Sequence, residues 1–528
     1  MKTDNHADVI IVGGGIAGLT AAAYLSQAGI STLLLEQNDQ VGGLVNSFDY
    51  KGFTFDGGIR SIESSGVILP MIRDLELEVQ FPKTKVTLGI EDQVITLQSK
   101  ADLVQYEALL LSVFPESQTD IERIIRKIRQ ILKYMDVLYG IDNPMMMDLV
   151  KNKKYVLTTL LPWFFQFVPT LLQIDRLTVP VETYLKKFTS NQALIDLMIQ
   201  HFFASTPAFF ALGYFSIYFD YHYPLGGTGS LPKALAKSIL KQGGLIQTNT
   251  KVMVVDPVAH MVEDQEGKQY HYKRLIWAAD LKTLYKSIPL ETIANSKLKS
   301  RISNRIQELE PKKGAESVLT VYITTNLEPS FFEEIASGHF FYTPNRVGIH
   351  DFQLPDSTDW NVLKKSLADF YERTTYEISI PVLRDKTLAP AGKSGLIISV
   401  LMPYEHIKKI ADSGHYEVFK NHAIESFIRI LDDSIYPSLK DQFIDAFCST
   451  PLTFEKRFGV TDGAIIGWSY TNQPIPVKHK MSQIMSSIKT PFKHIYQAGQ
   501  WSFSPAGIPI SVLTGKLACD QAKKGLKK

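Results

Sequence analysis

An α/β fold opened by a strand, a helix and a second strand is predicted by three features near the start of the chain. An apolar run, Val9–Val12, leads into Gly13, Gly15 and Gly18 in G-x-G-x-x-G spacing, and a second apolar run closes on Glu36. Gly13 permits a tight turn, Gly15 lets backbone N–H groups approach a pyrophosphate, and Gly18 lets the helix pack on the strand. The helix that begins Gly15-Ile16-Ala17-Gly18 turns its positive N-terminal end toward that phosphate. Glu36, followed by Gln37, stands where a carboxylate accepts ribose hydroxyls and repels a 2′-phosphate, which favours NAD or FAD over NADP. Together these pieces read as a Rossmann-type dinucleotide-binding unit.

The next segment, NDQVGGLVNSFDYKGFTFDGGIR, separates FAD from NAD. It supplies Gly42, Gly43 and Leu44 close behind the ribose acid, then a strand that stops at Asp56, Gly57, Gly58 and Ile59. Glycines without Cβ atoms let backbone lie flush along a pyrophosphate, a ribityl chain and an isoalloxazine edge. Two ordinary hairpin turns are the alternative for these glycines, and their order and spacing after Glu36 favour FAD.

Further blocks follow in order: Tyr223-Pro224-Leu225-Gly226-Gly227 with Leu231, Leu388-Ala389-Pro390-Ala391-Gly392-Lys393, and Thr450-Pro451 with Gly463-Ala464-Ile465-Ile466-Gly467. The last are Ala498-Gly499-Gln500-Trp501 and Ala506-Gly507-Ile508-Pro509. On these blocks the chain resembles the FAD-dependent phytoene desaturase, carotenoid isomerase and retinol saturase family, related to amine oxidases. The resemblance implies an oxidoreductase that desaturates, saturates or isomerises double bonds of a carotenoid, retinoid or similar long apolar isoprenoid, with hydride transfer at flavin N5. It also implies that Val252 offers its backbone to the adenine. The helix that the sequence predicts over 510–523, with Pro509 in its first turn, would by the same resemblance point at the flavin pyrimidine. Its dipole would stabilise charge at N1 and O2 of reduced FAD. Gln500 stands where many relatives carry Asp, a departure that leans toward the saturase branch. The strand RLIWAAD ends at Ala278, where a sheet end meets either the cofactor or a packed neighbour.

Composition bounds the rest. The 528 residues are 45% hydrophobic and 21% charged, with a net charge of +2, which suits a large globular chain and argues against nucleic acid as partner. Cys448 and Cys519 form no disulfide framework and match no metal or redox motif. The polar MKTDNHAD start is not a signal peptide, and a cytoplasmic protein associated with a membrane periphery is expected. The FAD marks fall at 1–75, 225–285 and 445–528, so the FAD-binding domain is discontinuous. Residues 76–224 and 286–444 then form an inserted substrate domain with a mixed sheet, including a helical, membrane-facing region over about 115–215.

Within that region YVLTTLLPWFFQFVPTLL, residues 155–172, is free of charge and flanked by Lys151, Lys153, Lys154 and Arg176. Pro162 and Pro169 argue against a clean membrane span, and an interfacial helix competes with a buried core helix. The basic KKGLKK tail adds attraction to anionic lipid. Phe202, Phe203, Phe209, Phe210, Tyr214, Phe215, Tyr218, Phe219, Tyr221 and Tyr223 crowd together, as a polyene tunnel or as core. Arg60 is the one polar candidate for catalysis near the flavin, with an interdomain salt bridge as its alternative. No second glycine motif follows a strand, so electrons pass through a quinone, oxygen, a reductase or the substrate itself. A lipid such as an unsaturated fatty acid is the alternative substrate. A non-catalytic FAD-containing membrane scaffold or lipid carrier is the alternative of another class.

Overall fold

A computed structural model describes residues 5–527; residues 1–4 of the polar start and the last lysine of the KKGLKK tail lie outside the described residues. Five parallel strands form the centre of the first sheet, in the order Leu245–Gln247, Thr32–Leu35, His6–Val12, Gln269–Trp277 and Ile495–Gln497. Met261–Asp264 and Val252–Asp256 extend it as antiparallel strands beside the first half of Gln269–Trp277. Alternate residues of these strands enter two different cores. Val9, Ile11, Leu34 and Ile276 pack with helices Ile16–Gln27, Ser230–Lys241 and Ile508–Leu526. Ile10, Val12, Leu33 and Leu35 pack on the opposite face with Leu281, Leu284, Trp468 and Trp501. A run without polar alternation is what two-sided burial requires.

The segment LIQTNTKVMVVD, which reads as one strand, is two. Asn249 turns the chain with φ of +52°, and the Thr250 N–H then bonds the Glu36 carbonyl at 2.8 Å. That turn brings Thr250 and Val252 to the end of the parallel sheet. The C-terminal helix is longer than the periodicity predicts, running Ile508–Leu526 rather than 510–523.

A second sheet takes the order Phe443–Ser449, Ser317–Thr325, Ser394–Met402, Tyr376–Ser379, His339–Thr343, Val86–Ile90 and Gln93–Leu97. All its pairings are antiparallel except that of His339–Thr343 with Val86–Ile90. Helices Trp360–Arg373 and Tyr416–Ser434 cover one face. The segment over 115–215 is helical as expected, led by Gln118–Tyr139, which buries Ile121, Ile124, Ile125, Ile128, Ile131, Leu132 and Met135 along one stripe.

The apolar stretch forms one helix, Lys153–Asp175, and it is not a core helix: only 6% of its most apolar window is buried. Leu157 is 67% and Phe165 72% exposed, and Leu161, Phe164, Val168 and Leu172 join them at the surface. A π-helical turn at Val156–Leu160 precedes Pro162, and Pro169 lies inside the helix. On the inner face Trp163 donates its indole N–H to the Val137 carbonyl at 2.5 Å. By length and composition this is the one helix among the described residues that could cross a membrane.

Among the described glycines, the least room for a side chain is at Gly18, where a Cβ would sit 1.9 Å from the Gly13 carbonyl oxygen. Gly18→Ala is therefore expected to cost about 3 kcal/mol or more, because backbone rather than a mobile side chain would have to yield. Denaturant unfolding of the two proteins measures it.

Candidate active site

A cavity of about 470 Å³ opens at the carboxyl ends of the parallel strands and runs toward the helical region. Gly13, Gly15, Ile16, Ala17, Glu36 and Gln37 line it from the first βαβ unit. Gly42, Gly43, Leu44, Gly58, Ile59 and Arg60 line it from the next segment, and Val252, Ala278, Gly499, Gln500, Gly507 and Ile508 complete that end. These residues come from six separated stretches of chain, and the fold gathers them.

Gly18, Asp56, Gly57 and Pro509 stand behind the wall rather than on it. Gly18 faces Gly13, and Gly57 packs so closely on Asn46 that a Cβ would lie 2.1 Å from the Asn46 amide oxygen. Pro509 is buried in the first turn of its helix. Asp56 is a structural hub: its carboxylate accepts from Ser47 Oγ, Tyr223 OH, Thr228 N and Thr228 Oγ1, all between 2.8 and 2.9 Å. It ties the strand Phe53–Asp56 to the Tyr223–Gly227 turn, which explains why both blocks stand out in the sequence.

The glycine-rich end is built for a group that touches backbone. Gly13 has φ of +103° and Gly499 +88°, conformations that L side chains rarely adopt. A Cβ on Gly15 would meet nothing within 4 Å, so the turn faces open space. The helices starting at Ile16 and Ile508 both lack a side-chain cap, and the residues before them, Gly15 and Gly507, line the cavity. Uncapped helix starts leave N–H donors and partial positive charge for a ligand. The Glu36 carboxylate accepts from Gly14 N at 2.6 Å and from Asn38 N at 2.9 Å, which fixes its orientation, while burial raises its pKa.

The far end is aromatic and contains groups that no local motif announces. Phe202, Phe203, Phe210, Tyr214 and Tyr221 line the cavity with Phe341, Val318 and Leu401. Phe209, Phe215, Tyr218, Phe219 and Tyr223 are core instead, so the aromatic cluster divides between wall and packing. Among the described residues Arg60 makes no ion pair. Its guanidinium donates to the carbonyls of Asp56 and Gly58 at 2.9 and 2.6 Å, and to Ser399 Oγ of the second sheet at 3.0 Å.

Beside it, Ser61 Oγ lies 2.9 Å from His339 Nδ1, and His339 Nε2 lies 3.0 Å from Glu377 Oε1. Burial holds the His339 imidazole below its ordinary pKa. Glu377 is also buried, yet the His339 hydrogen bond and nearby positive charge hold its carboxyl below the usual range. A neutral imidazole thus donates from Nε2 to a carboxylate and accepts the Ser61 hydroxyl at Nδ1. Residues 61, 339 and 377 are too far apart in sequence for this arrangement to have been read there. Glu63 on the same wall is half-buried, and burial pushes its carboxyl up to about 7.

Parallel strands ending in a glycine cradle, two uncapped helix starts and an oriented ribose-type acid define a dinucleotide-cofactor protein. The chain belongs to the flavin containing amine oxidoreductase family, whose model matches residues 16–523. Among named relatives, prolycopene isomerase 2 of an Oncidium hybrid is 24% identical, covering 98% of this chain and 84% of the relative. The inactive all-trans-retinol 13,14-reductase of Danio rerio is 22% identical (95% and 83% covered), and a Staphylococcus aureus 4,4′-diapophytoene desaturase 21% (98% and 99%). Among solved structures, an oxidoreductase of Methanosarcina mazei matches with a TM-score of 0.62 at 13% identity, covering 98% of this chain and 100% of that one. The protein is an FAD-dependent oxidoreductase.

Two outcomes follow from the site. Glu36→Ala is expected to weaken FAD binding about tenfold to a hundredfold, the worth of charge-assisted hydrogen bonds, measured by flavin fluorescence on titration. Glu63 has a folded pKa of about 7 against an ordinary 4.5, so its contribution to stability is complete below pH 4.5 and lost as pH rises through about 7. Glu63→Gln should therefore match wild type at pH 4.5 and exceed it in melting temperature at pH 8, by differential scanning fluorimetry.

Proposed function

We propose that this protein makes, removes or shifts carbon–carbon double bonds in a long apolar isoprenoid that it takes from a membrane surface. The observation that carries the reading is the continuity of one cavity from the glycine cradle into an aromatic chamber. The cradle residues would hold FAD as follows: Glu36 on the ribose, Gly13, Gly15, Gly42 and Gly43 along the pyrophosphate, and Val252 at the adenine. Gly499, Gln500 and the helix start at Gly507 and Ile508 would face the flavin end. Bound flavin supplies two-electron hydride chemistry. Phe202, Phe203, Phe210 and Phe341 would press a flat polyene into place through ring-face packing and keep water out. Arg60, held by backbone carbonyls, would fix the floor beneath it.

Two relatives act, by their names, on prolycopene and diapophytoene, and a third, named inactive, carries the name of a retinol reductase, which supports an isoprenoid over a fatty acid. The exposed face of Lys153–Asp175 supports uptake from lipid: Leu157, Leu161, Phe164, Phe165, Val168 and Leu172 would enter the acyl region while Lys151, Lys153 and Lys154 meet headgroups.

Flavin-loaded protein with carotenoid or retinoid in liposomes is expected to change the polyene spectrum, read by chromatography of extracted lipid. No change with any isoprenoid, under oxidising or reducing conditions, would overturn the reading. Phe164→Asp with Phe165→Asp should cut sedimentation with anionic vesicles at least about tenfold, given roughly 1.5–3 kcal/mol for each buried ring, and leave flavin content unchanged.

A further inference from the structure

Six acidic or histidine side chains line the cavity, and five are committed. Glu36 accepts from Gly14 and Asn38. Asp280 caps the helix Leu281–Lys286 and accepts from Thr461 N. Glu377 and His339 bond each other at 3.0 Å, and His201 Nε2 lies 3.2 Å from Tyr218 OH. Glu63 is the exception: among the described residues its carboxyl has no hydrogen bond or ion pair to another side chain. Its position is fixed by backbone, since the strand Ile62–Glu63 pairs with Tyr221–His222. A Cβ on Gly507 would lie 3.6 Å from Glu63 Oε1, so the carboxyl sits at the start of the helix Ile508–Leu526.

We propose that Glu63 is the group that gives or takes the proton when a double bond is altered in this cavity, an assignment that rests on the isoprenoid reading above. In the saturating direction the Glu63 O–H bond breaks and its proton forms a C–H bond at one olefinic carbon. A hydride from reduced flavin forms the C–H bond at the neighbouring carbon. The π bond is consumed, the flavin is oxidised by two electrons, and Glu63 is left as a carboxylate that regains a proton from water. Desaturation is the reverse, with Glu63 accepting the proton.

The surroundings suit that task. Asp220 is the one charged group that acts on Glu63, and it opposes ionisation as burial does. Tyr139, Tyr214 and Tyr221 are near enough to feel its charge, and burial raises all three phenols further above their ordinary pKa, so they are neutral. His201 is pushed down to about 4 by burial and is neutral. Glu377, in the same cavity, is held ionised by the His339 hydrogen bond, with the Arg60 charge reinforcing it. Two carboxyls whose environments drive them to opposite protonation states divide into a proton-exchanging acid and a fixed negative charge.

The test uses the full flavin-loaded chain as wild type, Glu63→Gln and Glu63→Asp. In D₂O with reductant and an isoprenoid, wild type is expected to place one solvent deuterium on product carbon; Glu63→Gln should lose at least about a hundredfold in kcat with flavin content intact. Glu63→Asp should recover part of the rate. The resting protein, without turnover, should show a protonated-carboxyl infrared band that titrates near pH 7 and is missing in Glu63→Gln. Wild-type rate and deuterium incorporation in Glu63→Gln, or an infrared band unaffected by the substitution, would overturn the assignment while leaving the isoprenoid reading intact. A wild type that binds flavin but converts no isoprenoid would overturn both.

Discussion

The approach of the helix Ile16–Gln27 to the end of the strand His6–Val12 is the constraint on which the site depends. The helix comes so close that residue 18 can carry no side chain, and residue 13 must adopt a positive φ. The same helix packs on Ile508–Leu526, where a Cβ on Gly515 would lie 2.4 Å from the Ala17 carbonyl oxygen. Small residues on both sides of these seams bring two helix starts, Gly15 and Gly507, to one cavity. Their separation along the chain is nearly the whole sequence, yet the sheet places both at its carboxyl edge, where ligands of open α/β sheets bind.

Polar groups divide according to whether they serve the scaffold or the cavity. Asp56 looks like a cofactor residue by position, but four hydrogen bonds occupy its carboxylate. A buried carboxylate so saturated is costly to disturb and has little capacity for anything else. Arg60 is similarly committed, to carbonyls and Ser399, and this joins the segment at the end of the strand Phe53–Asp56 to the second sheet. The network Ser61, His339 and Glu377 continues that seam, with Arg384 donating to the Arg60 carbonyl at 2.7 Å. The junction between residues 56–61 and the second sheet is therefore held by directional bonds around the cavity floor.

What the sequence discloses follows from how local each feature is. The βαβ unit was legible because turn, glycines and acid lie within one short stretch, and burial on both faces erases polar alternation. The helical region was legible from its 3.6-residue periodicity. The break at Asn249 was not, because β-branched residues flank it on both sides and the left-handed turn is decided by backbone pairing to Glu36. Glu63, His339 and Glu377 were invisible for a different reason. Each stands in an unremarkable strand, and its meaning comes from neighbours supplied by other segments. The aromatic cluster was visible as a cluster but not as a surface: Phe210 lines the cavity while adjacent Phe209 is core, because successive helical residues face different directions.

The inserted helical segment joins substrate chemistry to location. It contributes Phe202, Phe203, Phe210 and Tyr214 to the cavity wall, and the same segment carries the exposed apolar face of Lys153–Asp175. A polyene loses about 0.8 kcal/mol for every CH₂ it exposes on leaving an apolar phase for water. Transfer becomes feasible only if the donor bilayer and the receiving chamber are bridged by apolar surface. The helical segment has an exposed apolar face on one side and cavity-lining aromatics on the other.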